Sequence, residues 1–182
     1  MSLGSASSPT VLVLASGKGT RFWASGGQCH KLQALLAGRS VLDHTLQAVH
    51  ESGLPWHLVQ GPHAGMGDAI AAGVQATRQA SGWLILPADL PLIQATSLQQ
   101  VASALAHRPL AYPVYAGQRG HPVGFAAVCG DALAALSGDR GAAAVVRAWQ
   151  EHADVIAVND IGVVFDIDAV ADLEAAKKYR PD

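Results

Sequence analysis

The chain has 182 residues, half of them hydrophobic and 14% charged, with a formal charge of 12 − 14 = −2. Such a chain predicts one soluble domain with a sizeable core. The small net charge, without any basic run, excludes a dedicated nucleic-acid or anionic-membrane surface, and no apolar stretch is long enough to span a bilayer.

Residues 1–9 are Ser-rich and predict a disordered N-terminal tail, leaving 10–182 as a single domain. No secretory signal is visible. Cys29 and Cys129 lie far apart, and Cys29-His30 is a poor metal pair without a second one. A cytoplasmic setting with two free thiols is expected.

In chain order, residues 11–15 form an apolar run of strand length. It breaks into Ser16-Gly17-Lys18-Gly19-Thr20-Arg21. Glycines let backbone N–H groups approach an anion, and Lys or Arg neutralises its charge. This stretch therefore reads as a phosphate cradle or as an ordinary strand-to-loop turn. It is not a Walker A loop, because Gly19 follows Lys18, nor a dinucleotide fingerprint, because Phe22 stands where a third glycine belongs.

Residues 20–30 predict a loop and 40–51 a helix closed by Gly53. A strand is expected at 56–59, a helix at 68–79 and a buried strand at 83–86, followed by Pro87-Ala88-Asp89-Leu90-Pro91. Residues 96–107 predict a helix, 110–115 and 122–128 strands, 132–136 and 142–152 helices. Strands at 154–158 and 163–165 and a last helix at 170–178 complete the pattern. Strands alternating with helices predict an α/β fold with an open, mostly parallel sheet covered on both faces.

In such sheets, ligands sit beyond the carboxyl ends of the strands. Gly17, Gly19 and Arg21, the Gly61–Gly67 stretch, Asp89, and Asp166 with Asp168 all follow predicted strands, which favours one composite site. Asp89 has two readings, a metal ligand or a turn carboxylate. Asp166 and Asp168 fall on one side of an extended segment, and Asp168 also reads as a helix N-cap. Separated carboxylates facing an electropositive glycine loop suit Mg²⁺ and a triphosphate, the equipment for displacement at phosphorus. The Gly-x-Ser-x-Gly elbow of serine hydrolases is absent.

The motifs resemble the MobA-like NTP transferases, nearest to the molybdenum cofactor cytidylyltransferases. The likeness spans nearly the whole chain after Pro9. It rests on Leu14-Ala15-Ser16-Gly17-Lys18-Gly19-Thr20-Arg21 with Lys31, Gly65-Met66-Gly67, Asp89-Leu90-Pro91, Gly120-His121-Pro122-Val123, Gly138-Asp139-Arg140-Gly141-Ala142 and Asp166-Ile167-Asp168. The resemblance implies a Rossmann-like three-layer α/β/α nucleotidyltransferase. Residues Leu14 to Thr20, with Gly65, Met66 and Gly67, would bind the nucleotide, and Arg21 and Lys31 would hold its phosphates. Asp89 and Asp168 would bind Mg²⁺, Asp166 being the weaker candidate. His121, Asp139 and Arg140 would face a phosphorylated acceptor such as molybdopterin. The implied partners are an NTP, that acceptor, and a molybdoenzyme or its maturation chaperone. Transfer to a sugar phosphate and a non-catalytic nucleotide-binding module are the alternatives.

The chain also departs from the family pattern. Residues 22–30 lengthen the gap between Arg21 and Lys31, and a strand–helix unit before Gly65 is missing or shortened. Ala69 stands where the cytidylyl branch often has Ser. Ser16 matches neither the Ala-Ala-Gly of cytidylyl members nor the Ala-Gly-Gly of guanylyl members, which leaves CTP and GTP both open. Trp23, in the lengthened loop, reads as a shield over ligand or as a partly exposed loop aromatic.

Overall fold

The computed structural model describes residues 8–180. The expected tail at 1–9 lies outside them except for Ser8 and Pro9. Strand β1 (Thr10–Leu14) leads into the glycine loop, a short helix α1 (Thr20–Ala24) and a 3-10 turn (Lys31–Gln33). A small hairpin, β2 (Leu35–Leu36) and β3 (Arg39–Ser40), feeds α2 (Val41–Ser52). Then come β4 (Trp56–Val59), α3 (Met66–Ala76), β5 (Gly82–Pro87) and α4 (Ala95–Ala104). After β6 (Leu110–Tyr115), β7 (Gln118–Arg119) and β8 (Val123–Ala126) both return antiparallel along β6. Helices α5 (Gly130–Ala134) and α6 (Ala143–Trp149), strand β9 (Ala153–Ala157) and helix α7 (Val170–Ala176) complete the order.

The main sheet has 7 strands in the order β4-β1-β5-β8-β6-β7, with β9 also paired to β6. Strands β4, β1, β5, β6 and β9 run one way, and β8 and β7 the other. Side chains alternate across the sheet. Val11, Val13, Leu84 and Leu86 pack with Val49 of α2 and Leu98 of α4 on one face. Leu12, Ile85 and Phe125 pack with Ile70 of α3, Leu133 and Val146 on the other. Both faces of the sheet are therefore covered by helices.

Local chemistry sets the ends of the elements. The Ser40 hydroxyl accepts from the Asp43 N–H at 3.0 Å and caps α2, which ends at Gly53 with φ 69°. The Thr45 hydroxyl of α2 donates to the Ala88 carbonyl at 2.9 Å, anchoring the helix beside the exit of β5.

Two expectations are corrected. Residues 20–30 are not all loop: α1 forms because Phe22 inserts into the core, where it is 2% exposed. Residues 163–165 are not a strand. Asp160 accepts from the Gly162 N–H at 2.8 Å and folds Ile161–Val163 into a 3-10 turn. The same carboxylate accepts from the Gln94 N–H and the Ser97 hydroxyl, pinning that turn to the start of α4. Cys29 and Cys129 are free. Among the described residues, no helix is long and apolar enough to cross a membrane.

Candidate active site

The carboxyl ends of the central strands finish level. The Ala15 N–H donates to the Val59 carbonyl at 2.9 Å, and the Ala88 N–H to the Leu14 carbonyl at 3.1 Å. The loops that follow β4, β1 and β5 therefore emerge side by side. At the end of the glycine loop, Gly19 takes the left-handed conformation, φ 63°, and starts α1. His30 then folds back over the loop. Its Nδ1 accepts from the Leu32 N–H, so Nε2 carries the proton and donates to the Gly17 carbonyl at 2.8 Å. Both ring nitrogens serve the backbone, which removes His30 from metal binding and makes it a latch on the loop.

Beside this loop is an acidic centre. One oxygen each of Asp89, Asp166 and Asp168 lie within 4.8 Å of one another. Asp168 reaches the centre because α7 is capped at Ala169, with Asp172 accepting from the N–H groups of Asp168 and Ala169. The N-cap reading of Asp168 is thus replaced. Asp89 sits in the turn after β5, as one of its two readings had it, but its carboxylate turns into the cleft. Its Oδ2 meets the Lys31 ammonium at 2.5 Å, while its buried Oδ1 has no partner among the described residues. Lys31 also reaches Asp168 Oδ1 at 3.1 Å, and Arg21 pairs with Asp168 Oδ2.

Burial alone would lower the Lys31 pKa, but Asp89 and Asp168 outweigh it and hold the ammonium above its ordinary range. Partial desolvation, then the neighbouring carboxylates, raise the Asp166 pKa. Carboxylates this close repel by roughly 3 kcal/mol per pair at an effective dielectric near 20, less where water screens Asp166. An all-oxygen cluster with an unsatisfied buried oxygen fits a hard divalent cation.

A cleft of about 720 Å³ opens over this centre. Of the residues singled out in the sequence, Leu14, Ser16, Gly17, Lys18, Thr20, Arg21, Lys31, Gly65, Met66, Asp89, His121, Asp139, Asp166 and Asp168 line it. Ala15, Gly19, Gly67 and Arg140 are not among its lining residues. Gly67 instead donates its N–H to the Gly138 carbonyl at 2.7 Å, while the Gly138 N–H donates to Asp68 at 2.8 Å. The 138–141 turn is thereby fastened to the start of α3, and the Asp139 backbone lies beside Gly65. Trp23 is 49% exposed and is not a lining residue.

His121 precedes a cis peptide bond to Pro122 and donates its N–H to the Val163 carbonyl at 2.7 Å. Burial pushes its pKa down against the pull of Asp89, and its buried Nδ1 has no partner among the described residues. His63, Gln118 and Arg119 also line the cleft. His63 falls within the Gly61–Gly67 stretch but carries no signal of its own there, and Gln118 and Arg119 belong to no glycine or acidic motif, so sequence spacing did not single them out.

The model of the MobA-like NTP transferase domain matches residues 11–155. The chain belongs to this family. It is a nucleotidyltransferase of the MobA-like kind, and its α/β fold matches nucleotidyltransferase structures. Rv0371c from Mycobacterium tuberculosis H37Rv superimposes with a TM-score of 0.78 at 20% identity, covering 93% of this chain and 97% of that one. A structure of Rv0371c in complex with manganese gives 0.73 at 18%, with coverage of 93% and 97%. The molybdopterin-guanine dinucleotide biosynthesis protein A of Archaeoglobus fulgidus gives 0.61 at 17%, covering 94% and 98%. At these identities the likeness concerns the fold. No curated protein matches the chain.

Proposed function

We propose that this MobA-like transferase moves a nucleoside monophosphate from an NTP, CTP in preference, to a phosphate of molybdopterin or its molybdenum complex, using Mg²⁺ and releasing pyrophosphate. The observation that carries the reading is the cluster of Asp89, Asp166 and Asp168 beside the glycine loop in one cleft. The manganese complex of Rv0371c supports a divalent cation, and the A. fulgidus protein supports a molybdopterin acceptor. The motif resemblance to the cytidylyl branch supports CTP. Residues 10–182 act as one domain, and a molybdoenzyme or its maturation chaperone receives the product.

In this reading the backbone from Leu14 to Thr20, with Gly65 and Met66, cradles the nucleotide, and Asp139 joins that side. Lys18, Arg21 and Lys31 neutralise the triphosphate. Asp89 and Asp168, with Asp166 in range, would hold Mg²⁺, which supplies charge neutralisation when bound. The acceptor, oriented near His121, presents a phosphate oxygen to the α-phosphorus. A new P–O bond forms as the bridge to the β-phosphate breaks, and the electron pair leaves on pyrophosphate. The test is pyrophosphate release from the protein mixed with Mg²⁺, each NTP and molybdopterin. Release should require all three components and be fastest with CTP. Tight NTP binding without pyrophosphate from any acceptor would mean a binding module instead.

A further inference from the structure

The cations of the cleft lie on two flanks of its acidic centre. Along the sheet the order is β1, β5, β8, β6, β7. Lys18 and Arg21 follow β1, and Asp89 follows β5. Arg119, in β7, lies just before His121 and β8, on the side of β5 away from β1. Arg21 and Lys31 are already paired with the carboxylates. Arg119 has no ion-pair partner among the described residues. Its guanidinium stands over the Tyr112 ring, 5.5 Å from the centroid, and the residue lines the cleft beside Gln118. A cation–π contact on the ring leaves guanidinium N–H groups that can grip an anion with two parallel bonds.

Transfer at phosphorus needs the attacking and leaving oxygens roughly in line. If pyrophosphate departs toward Lys18 and Arg21, the acceptor's phosphate must enter from the opposite flank. Burial works against a charge on His121, which leaves Arg119 as the cation of that flank. Resting on the function proposed above, we infer that Arg119 forms the anion subsite for the acceptor, a phosphomonoester whose phosphate lies between the guanidinium and the Asp89 centre.

The experiment uses the full chain with Mn²⁺ and a saturating α,β-methylene analogue of CTP, or of GTP if that binds better, which fills the triphosphate cradle. Inorganic phosphate is the acceptor probe, and its binding is followed by calorimetry. Nucleotide binding is measured separately, so a failure of the nucleotide reading shows on its own. Arg119→Gln, at an exposed hairpin position, should weaken phosphate binding by roughly tenfold or more while leaving nucleotide affinity within about twofold. Arg119→Lys should fall between, since it keeps the charge and loses the fork. Phosphate that binds wild type and Arg119→Gln equally, or binds neither, overturns the inference. So does a parallel loss of nucleotide affinity, which would assign Arg119 to the triphosphate.

Discussion

The Lys31 ammonium stands between Asp89 and Asp168, both its own side chain and that of Asp89 being mostly buried. It is the internal counter-ion of a cluster that otherwise repels itself. A divalent cation and this ammonium therefore draw on the same carboxylates. Replacing Lys31 with Met should destabilise the protein in EDTA by about 1–3 kcal/mol, the worth of charged hydrogen bonds lost from a partly buried site. Mn²⁺ should then recover more stability in Lys31→Met than it adds to wild type, because the freed carboxylates bind it more tightly. Thermal melts of both proteins with EDTA and with Mn²⁺ check this. Equal Mn²⁺ stabilisation of the two would show that ammonium and metal do not share the carboxylates. Arg21, paired to Asp168 but largely exposed, contributes little to stability and stays available to phosphate.

At the scale of elements, the site depends on the contact between the start of α3 and the 138–141 turn. A Cβ on Gly65 would fall inside the van der Waals radius of the Gly138 carbonyl group. Gly65→Ala must therefore push the turn away from the helix. It should cost about 1–3 kcal/mol in urea denaturation and weaken nucleotide binding, since Asp139 and Met66 move apart. Unchanged stability would show that the contact yields without strain. Such close approaches also explain what could be read in advance. The runs feeding β1 and β5 have one periodicity and one burial fate, so their strands and the carboxylate after β5 were visible in the sequence. Helix α1 was not: five residues amid Gly and Ser carry no periodic signal, and its stability comes from Phe22 in the core. Val163, Val164 and Phe165 look like a strand by composition, but the Asp160 cap and the crossing of the Gly120-His121 backbone decide otherwise. The Ala37-Gly38 turn, with φ 48° and 73°, builds its two-residue hairpin with an alanine in the left-handed region, a choice that the sequence pattern disguises.

For the whole molecule, the parallel run of β4, β1 and β5 brings the Gly61–Gly67 loop, the glycine loop after β1 and Asp89 to one edge, and the segment from Asp160 to α7 carries Asp166 and Asp168 across to meet them. That meeting joins residues 89 and 168: Asp89 was recognisable because it sits just beyond β5, whereas Asp166 and Asp168 were singled out behind an expected strand at 163–165, where the chain instead leaves a 3-10 turn. Arg119 and the His30 latch were not recognisable, since their positions depend on a hairpin twist and on the path of the lengthened loop. The most direct measurement is a Mn²⁺ titration followed by electron paramagnetic resonance on wild type and on Asp89→Asn/Asp168→Asn, with and without CTP and GTP. The wild type should bind one Mn²⁺, more tightly with nucleotide present, and the double variant should keep its fold but lose roughly a hundredfold or more in Mn²⁺ affinity. A folded double variant that binds Mn²⁺ as wild type does would contradict the account.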